Sequence, residues 1–174
     1  MLNEVMEECS MYSFKTKTPL GSIQAAAREN ALCGLWFIGQ KHFPSDSKNW
    51  LHEPDYPVFV SLIAWLNAYF CGERPKESIP LAPLGSAFRQ AVWGQLLEIP
   101  YGKTTSYGAI AARLSSTGKK ASALAVGGAV GHNPISLLIP CHRVLGADGS
   151  LTGYAGGLEK KRALLELEGI SGFS

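Results

Sequence analysis

The chain has 174 residues, of which 46% are hydrophobic, enough to form the core of one large domain or of two small ones. The net charge is only +2. It is unevenly placed, because residues 1–83 carry seven Lys and Arg against nine Asp and Glu, whereas residues 84–174 carry nine against five. The basic second half predicts contact with a polyanion.

Two stretches of the sequence are informative about the cellular location of the protein. The longest apolar run, Val58 to Cys71, is interrupted by Ser61 and Asn67 and is too short for a membrane span, so it indicates a core helix. The N-terminal MLNEVMEECS is acidic and has no apolar centre, which predicts no secretory signal. We expect an intracellular protein without a membrane partner, cytoplasmic and nucleoid-associated, or nuclear if the source is a eukaryote.

The cysteines are widely spaced and form no C-x-x-C pair: Cys9, Cys33, Cys71 and Cys141. This spacing predicts neither a disulfide framework nor a zinc knuckle. Cys33, His42 and His52 match no common ligand spacing, so we expect no metal site.

The first half predicts a small α/β unit. Two strands, Ser22 to Ala27 and Ala31 to Ile38, flank a polar turn. A helix follows from Pro57 to Cys71, with a proline at its first turn and one apolar face formed by Val58, Leu62, Trp65, Leu66 and Tyr69. Prolines 75, 80 and 83 then indicate a linker, which gives an N-terminal domain of residues 1–80 and a second domain of residues 84–174.

The second half predicts a series of short helices. Ser86 can cap the first, whose apolar face is formed by Phe88, Ala91, Val92, Leu96 and Ile99. One of Thr104, Thr105 and Ser106 caps the next, with an apolar face formed by Tyr107, Ile110, Ala111 and Leu114. A polar turn, residues 115–120, leads to a third helix from Ala121 to Gly131, rich in Ala, Gly and Val. Two short helices joined by a polar turn indicate a helix-turn-helix, although the third helix could simply pack against its neighbour.

The chain after this helix-turn-helix carries a chemically distinctive segment, Pro140-Cys141-His142-Arg143. An extended run, Leu137 to Ile139, is expected to enter it, with a flexible loop at residues 153–157 and a final helix from Leu158 to Glu168 beyond it.

Cys141 is a candidate thiolate because cationic neighbours stabilise a sulfur anion. In an extended segment His142 would point away from Cys141, so contact would need a bend or a water. A carboxylate would orient the imidazole, and the final helix offers Glu159, Glu166 and Glu168. The alternative from these residues alone is a buried structural cysteine beside a solvated His-Arg pair.

Nearly the whole chain resembles the O6-alkylguanine-DNA alkyltransferases. The similarity is carried by Asn133-Pro134, then IPCHRV at residues 139–144, then GYAGGL at residues 153–158, and extends over FRQAVWGQLLEIPYGKTTSYGAIAARL upstream. The resemblance implies a fold of α+β class, with a small ribonuclease H-like domain followed by a winged helix-turn-helix domain. It also implies a suicide repair protein without a cofactor, which flips O6-alkylguanine, or O4-alkylthymine, out of duplex DNA and keeps the alkyl group. A monomer is the default expectation for the oligomeric state.

The resemblance also implies roles for individual residues. Cys141 matches the alkyl acceptor, His142 the base that draws its proton through a water, and Glu168 the carboxylate behind that histidine. Asn133 ties the helix-turn-helix to the cysteine segment, and Tyr107 donates a hydrogen bond to the guanine. The substrate pocket is expected from Val144, Tyr154, Ala155, Gly156 and Lys161.

The helix from Ala121 to Gly131 matches the element that enters the minor groove. The surface expected to contact DNA comprises Thr104, Lys119, Lys120, Ser122, Ala123, Leu124, Ala125 and Gly127. The family fills the gap left by the flipped base with an arginine, but the aligned position here is Leu124. Either Leu124 acts as an apolar wedge, or the alignment slips and Lys119 or Lys120 supplies a cation.

Three other functions fit these residues less well. A lesion-binding alkyltransferase-like sensor would carry tryptophan at the cysteine position, which Cys141 argues against. A DNA-binding regulator that senses alkylation would carry a further cysteine-rich domain. A cysteine hydrolase using Cys141 and His142 would turn over many times and would not need the basic second half.

Overall fold

The computed structural model describes residues 10–174, so the acidic N-terminal stretch and Cys9 lie outside the described residues. The chain divides into two compact units, one up to Pro83 and one from Leu84 onwards. The first is a sheet with one helix and the second is mostly helical. The expected α+β class is therefore confirmed.

The first unit contains a four-stranded sheet in the order β3-β2-β1-β4. Its strands are β1 (Tyr12–Thr18), β2 (Gly21–Arg28), β3 (Ala31–Phe37) and β4 (Leu51–His52). The strands β1, β2 and β3 are antiparallel neighbours, and β4 pairs parallel to β1. The strand β1 was not predicted from the sequence, because Phe14 is its only large buried residue and lysines occupy two of its seven positions.

Helix α1 (Pro57–Phe70) covers one face of this sheet, with Phe59 against Phe14 at 4.8 Å between ring centroids. Its buried residues are Val58, Phe59, Leu62, Leu66 and Tyr69, so the predicted helix is confirmed, although Trp65 is only partly buried.

The proline-rich segment predicted as a linker is partly built into the sheet. Leu32 N donates to Pro80 O at 2.8 Å, and Ala82 N donates to Leu32 O at 2.8 Å. Backbone groups of residues 80 and 82 thus satisfy the edge of β3, as an added strand would.

The second unit has four helices and a two-stranded parallel sheet. In chain order these are α2 (Ala87–Leu97), β5 (Thr105–Ser106), α3 (Tyr107–Ser116), α4 (Ala123–Gly131), β6 (Val144–Leu145) and α5 (Leu158–Leu167). The residues between α3 and α4 form the turn of the helix-turn-helix, and the two helices pack against each other.

Serine caps set where three of these helices begin. The hydroxyls of Ser86, Ser106 and Ser122 each accept a backbone N–H three residues further on. Because Ser122 is the cap, α4 begins at Ala123, two residues later than predicted. Trp93, which the predicted apolar face of α2 omitted, is buried and donates to Ala129 O at 2.9 Å, so it ties α2 to α4.

None of the helices within residues 10–174 is both long and apolar enough to cross a membrane.

Candidate active site and nucleic-acid interface

The segment leading to Cys141 is a set of tight turns, so the predicted extended run Leu137 to Ile139 is wrong. Leu137 has φ of +71°, a left-handed conformation that a leucine adopts only when its surroundings impose it. The buried Asn133 side chain holds these turns. Its Nδ2 donates to Ile139 O at 2.8 Å and to Ile135 O at 3.3 Å, while its Oδ1 accepts from Ile135 N at 3.0 Å.

Cys141 begins a single 3-10 turn, Cys141–Arg143, and is 6% exposed. The side chains of Cys141 and His142 therefore do not alternate as they would in an extended chain. The turn itself supplies the bend that was expected at Pro140. Burial raises the pKa of the Cys141 thiol. A hydrogen bond with Asn133, the charge of Lys161 and nearby backbone N–H groups act in the opposite direction on that pKa. At neutral pH the resting sulfur is thus a thiol that needs a base.

His142 is fully buried and its Nε2 lies 2.7 Å from Glu168 Oε1. Burial lowers the pKa of His142, and the charges of Arg143 and Lys161 lower it further against the opposing effect of Glu168. A neutral imidazole facing a carboxylate must carry its proton on Nε2, so Nδ1 is the nitrogen with a lone pair.

Glu168, the C-cap residue of α5, is held by four donors in total. Besides His142, Arg143 donates from Nε and Nη2 at 2.8 and 3.0 Å, and Gly102 N donates at 3.0 Å. Burial alone would raise the pKa of Glu168, but the hydrogen bonds from His142 and Arg143 outweigh it and lower the pKa to about 2. Arg143 also donates from Nη1 to Ile99 O at 2.7 Å.

Lys161 is a buried cation held by backbone oxygens. Its Nζ donates to Val144 O, Thr152 O and Gly153 O at 2.6, 2.8 and 3.2 Å. Burial lowers its pKa to about 8. The side chain of Val144 is fully buried, so what it offers at this site is its carbonyl oxygen.

Tyr107, the first residue of α3, is joined to the same loop, since its Oη donates to Thr152 O at 2.9 Å. Burial raises the pKa of Tyr107 and, more strongly, that of Tyr154. The charge of a Cys141 thiolate affects the pKa values of Tyr107, Tyr154 and Lys161. All three side chains therefore lie within electrostatic range of the sulfur, and Ala155 and Gly156 continue the same loop half-buried.

The outer surface of α4 is thin and open to solvent. Side chains added at Gly128 or Gly131 would meet nothing within 4 Å, and one at Gly127 would be in ordinary contact with Tyr107. Leu124 is 88% exposed at the start of this surface. An open depression of about 330 Å³ runs from α4 to Thr152 and Gly153, so it joins the helix surface to the loop beside the cysteine.

The other residues expected to contact DNA are all exposed to solvent: Thr104, Lys119, Lys120, Ser122, Ala123 and Ala125.

Some supporting groups were not foreseen from the sequence. The N–H of Gly102 and the carbonyl of Ile99 are backbone groups, which no residue type in the sequence marks. The ring of Tyr101, which lies 5.7 Å from the Arg143 guanidinium carbon, is a further supporting contact. The described residues contain no group of three or more His, Cys, Asp or Glu arranged to hold a metal.

Fold and site together define a helix-turn-helix protein with a buried Cys-His-Glu constellation. The family model of the 6-O-methylguanine DNA methyltransferase DNA-binding domain matches residues 87–170, and that of its ribonuclease-like domain matches residues 11–83. The methylated-DNA–protein-cysteine methyltransferase of Mycobacterium tuberculosis is 46% identical over 151 residues, which cover 87% of this chain and 88% of the relative. That of Haemophilus influenzae is 40% identical over 162 residues, covering 92% and 88%.

A solved structure agrees with these relatives. The crystal structure of Mycobacterium tuberculosis OGT in complex with DNA is similar with a TM-score of 0.80 and 43% identity, covering 90% of this chain and 92% of that one. The chain belongs to the 6-O-methylguanine DNA methyltransferase family.

Proposed function

We propose that this protein removes alkyl groups from O6-alkylguanine in duplex DNA by transferring them irreversibly to Cys141. The observation that carries the proposal is the neutral His142, bonded to Glu168 at 2.7 Å, on the same 3-10 turn as the buried Cys141. This arrangement suits a single nucleophilic displacement, in which the Cys141 sulfur attacks the alkyl carbon. We further propose that the protein acts as a monomer within the cell, where its duplex substrate lies.

The path of the protons in the reaction follows from the contacts of Cys141, His142 and Glu168. The thiol proton passes to Nδ1 of His142, directly or through a water, and Glu168 stabilises the imidazolium that forms. The Cys141 sulfur then bonds the alkyl carbon while the bond from that carbon to O6 breaks. The guanine leaves with the electron pair and must gain one proton to become neutral. We propose that the Tyr107 hydroxyl gives up its bond to Thr152 O and donates that proton, and that the proton accepted by His142 then replaces it.

Lys161 and Tyr107 both donate to Thr152 O, so they order the loop that carries Tyr154. We propose that this loop forms the wall of the guanine pocket, with Ala155 and Gly156 leaving room for the base. The product is a thioether, which has no ready hydrolytic route, so each molecule reacts once.

The exposed surface of α4 is the proposed DNA contact. A base within a duplex is out of reach of a buried sulfur, so it must be flipped out at a cost of about a few kcal/mol. An exposed leucine at the N-terminal turn of a thin helix suits an apolar wedge in a minor groove. Lys119 and Lys120 would meet the phosphates.

The test is the intact mass of the protein after incubation with a duplex that carries one O6-methylguanine. We expect a stoichiometric gain of one methyl group, abolished by Cys141→Ala and retained by Cys71→Ser, which removes an exposed cysteine instead. Binding without mass gain in the wild type would favour the lesion-binding sensor or regulator. Multiple turnover of an ester or amide would favour a hydrolase.

A further inference from the structure

The first unit contains a cavity on the face of its sheet opposite α1. Because alternate residues of a strand face opposite ways, Phe14 points towards α1 whereas Ser13 and Lys15 point to the other side. The register pairs Lys15 with Gln24 on β2. On this second face lies a cavity of about 350 Å³.

Two side chains in the cavity are buried yet lack hydrogen bonds to the protein. Gln24 is 3% exposed and Ser13 is 6% exposed, and both line the cavity. Neither side chain makes a hydrogen bond with any residue in the described range 10–174. The polar atoms of both side chains are open to the cavity and do not belong to the buried atoms that lack a partner. An amide and a hydroxyl facing the same cavity are thus available to a polar ligand.

The charges around the cavity are of one sign. Lys15 and Lys48 line it, and none of the described lining side chains is acidic. Neither lysine forms an ion pair with another residue that the structure describes. A cavity lined by cationic groups without counter-charges favours an anionic ligand, and phosphate is the anion that lysines commonly hold.

One side of the cavity is aromatic and held in place. Trp50 lines it and packs on Trp36 at 5.8 Å between ring centroids, and Trp36 packs on Phe43 at 6.3 Å. Trp36 lies flat over Gly34, where an added Cβ would come within 1.7 Å of the indole ring. These rings are therefore fixed, and a fixed indole is a surface on which a nucleobase stacks.

We propose that this cavity binds a nucleotide, with the base on Trp50, the base edge at the Gln24 amide, and the phosphate between Lys15 and Lys48. A glutamine amide offers a donor and an acceptor side by side, which matches the edge of a base. The same chemistry is present in a free nucleoside monophosphate and in a nucleotide of a single DNA strand. The proposal does not depend on alkyl transfer at Cys141, which belongs to the other unit.

The test is titration of the full-length protein, labelled with ¹⁵N, with deoxynucleoside monophosphates, with a short single-stranded oligonucleotide, and with inorganic phosphate. The readouts are the amide NH₂ signals of Gln24 and the indole N–H signal of Trp50. Saturable shifts of both signals with the monophosphates support the proposal with a free nucleotide as the source. Shifts of both with the oligonucleotide alone support it with a strand as the source.

Matched variants distinguish binding in this cavity from a non-specific attraction between the ligand and the charge of the protein. Lys15→Gln combined with Lys48→Gln should weaken binding by about tenfold or more, because two charge-assisted contacts are lost. Lys41→Gln, which removes an exposed charge from the same loop outside the cavity, should leave the affinity within about twofold. All three substitutions are at exposed positions, so folding is checked by the unchanged remainder of the spectrum.

Three results would overturn the proposal. The first is no shift of the Gln24 and Trp50 signals with any probe at millimolar concentration. The second is an affinity for inorganic phosphate equal to that for the nucleotides, which would exclude a role for the aromatic side. The third is binding that the double variant does not weaken.

Discussion

The guanidinium of Arg143 donates two hydrogen bonds to the carboxylate of Glu168, at 2.8 Å from Nε to Oε2 and 3.0 Å from Nη2 to Oε1. This pair balances a negative charge with a positive one inside the protein. A Glu168 carboxylate alone would favour a protonated His142, whereas the charge of Arg143 lowers the pKa of His142. Arg143 thus helps to keep the imidazole neutral and able to take a proton.

Replacing Arg143 by glutamine tests this balance. A glutamine removes the charge that lowers the pKa of His142, so we expect that pKa to rise and the alkyl-transfer rate to fall at the acidic end of the pH profile. The measurement is the single-turnover rate with an O6-methylguanine duplex as a function of pH. Arg162→Gln, an exposed change on α5, is the control. An unshifted profile for Arg143→Gln would mean that His142 is not the titrating base.

The charge of Glu168 should matter more than that of its neighbour on the same helix. Glu168→Gln removes the stabilisation of an imidazolium, and we expect the transfer rate to fall by about 100-fold or more. Glu166→Gln changes an exposed glutamate and should leave the rate within about twofold. Rates are measured by quenched single turnover, alongside circular dichroism to verify folding. Equal rates for the two variants would exclude the proposed role of Glu168.

The low pKa of Glu168, about 2 against an ordinary value of 4.5, predicts acid sensitivity. The unfolded chain binds the proton more readily than the folded one, so the contribution to stability is complete above about pH 4.5 and is lost as pH falls towards about 2. Urea midpoints measured from pH 6 to pH 2 should fall more steeply for the wild type than for Glu168→Gln. Parallel curves for the two proteins would contradict this assignment.

Leu124 should be needed for repair within a duplex and not for the chemistry itself. Leu124→Ala removes the proposed wedge, and we expect slower transfer from duplex O6-methylguanine with little change for the free base O6-methylguanine. Leu124→Arg should restore or exceed the duplex rate, because it supplies the side chain that the family uses. If neither substitution changes the duplex rate, the wedge hypothesis fails and Lys119 and Lys120 become the residues to replace.

A methyl group added to the α4 surface should affect stability and DNA binding in opposite directions. Gly128→Ala meets no atom within 4 Å, so helix propensity alone should stabilise the protein by about 0.5 to 1 kcal/mol. If α4 enters a groove, the affinity for duplex DNA should nevertheless fall. Gly94→Ala on α2, also exposed and without close neighbours, should stabilise the protein and leave affinity unchanged. Urea unfolding and fluorescence anisotropy measure the two effects, and equal affinities for the two variants would argue against α4 as the contact.

Local signals in the sequence were sufficient to predict most of the helices and strands. Serine caps, apolar spacing and prolines act within one or two turns of chain, so α1, α2, α3 and α5 were predicted nearly to their ends. The strand β1 was missed because its lysines weaken the alternating pattern, and its place in the sheet comes from pairing with β2.

The sequence by itself determined which reactive groups are present. Pro140-Cys141-His142-Arg143, Asn133 and the glycine-rich α4 are all recognisable in it. Their resemblance to a known family then selected Glu168 from the three glutamates of the final helix. Only the tertiary structure decided how that chemistry is arranged. The left-handed Leu137 and the turns around Asn133 contradict the expected extended run, because side-chain hydrogen bonds there outweigh local preference. Glu168 meets Gly102, His142 and Arg143 across long stretches of chain. Such contacts depend on how helices pack, which no short segment of sequence encodes.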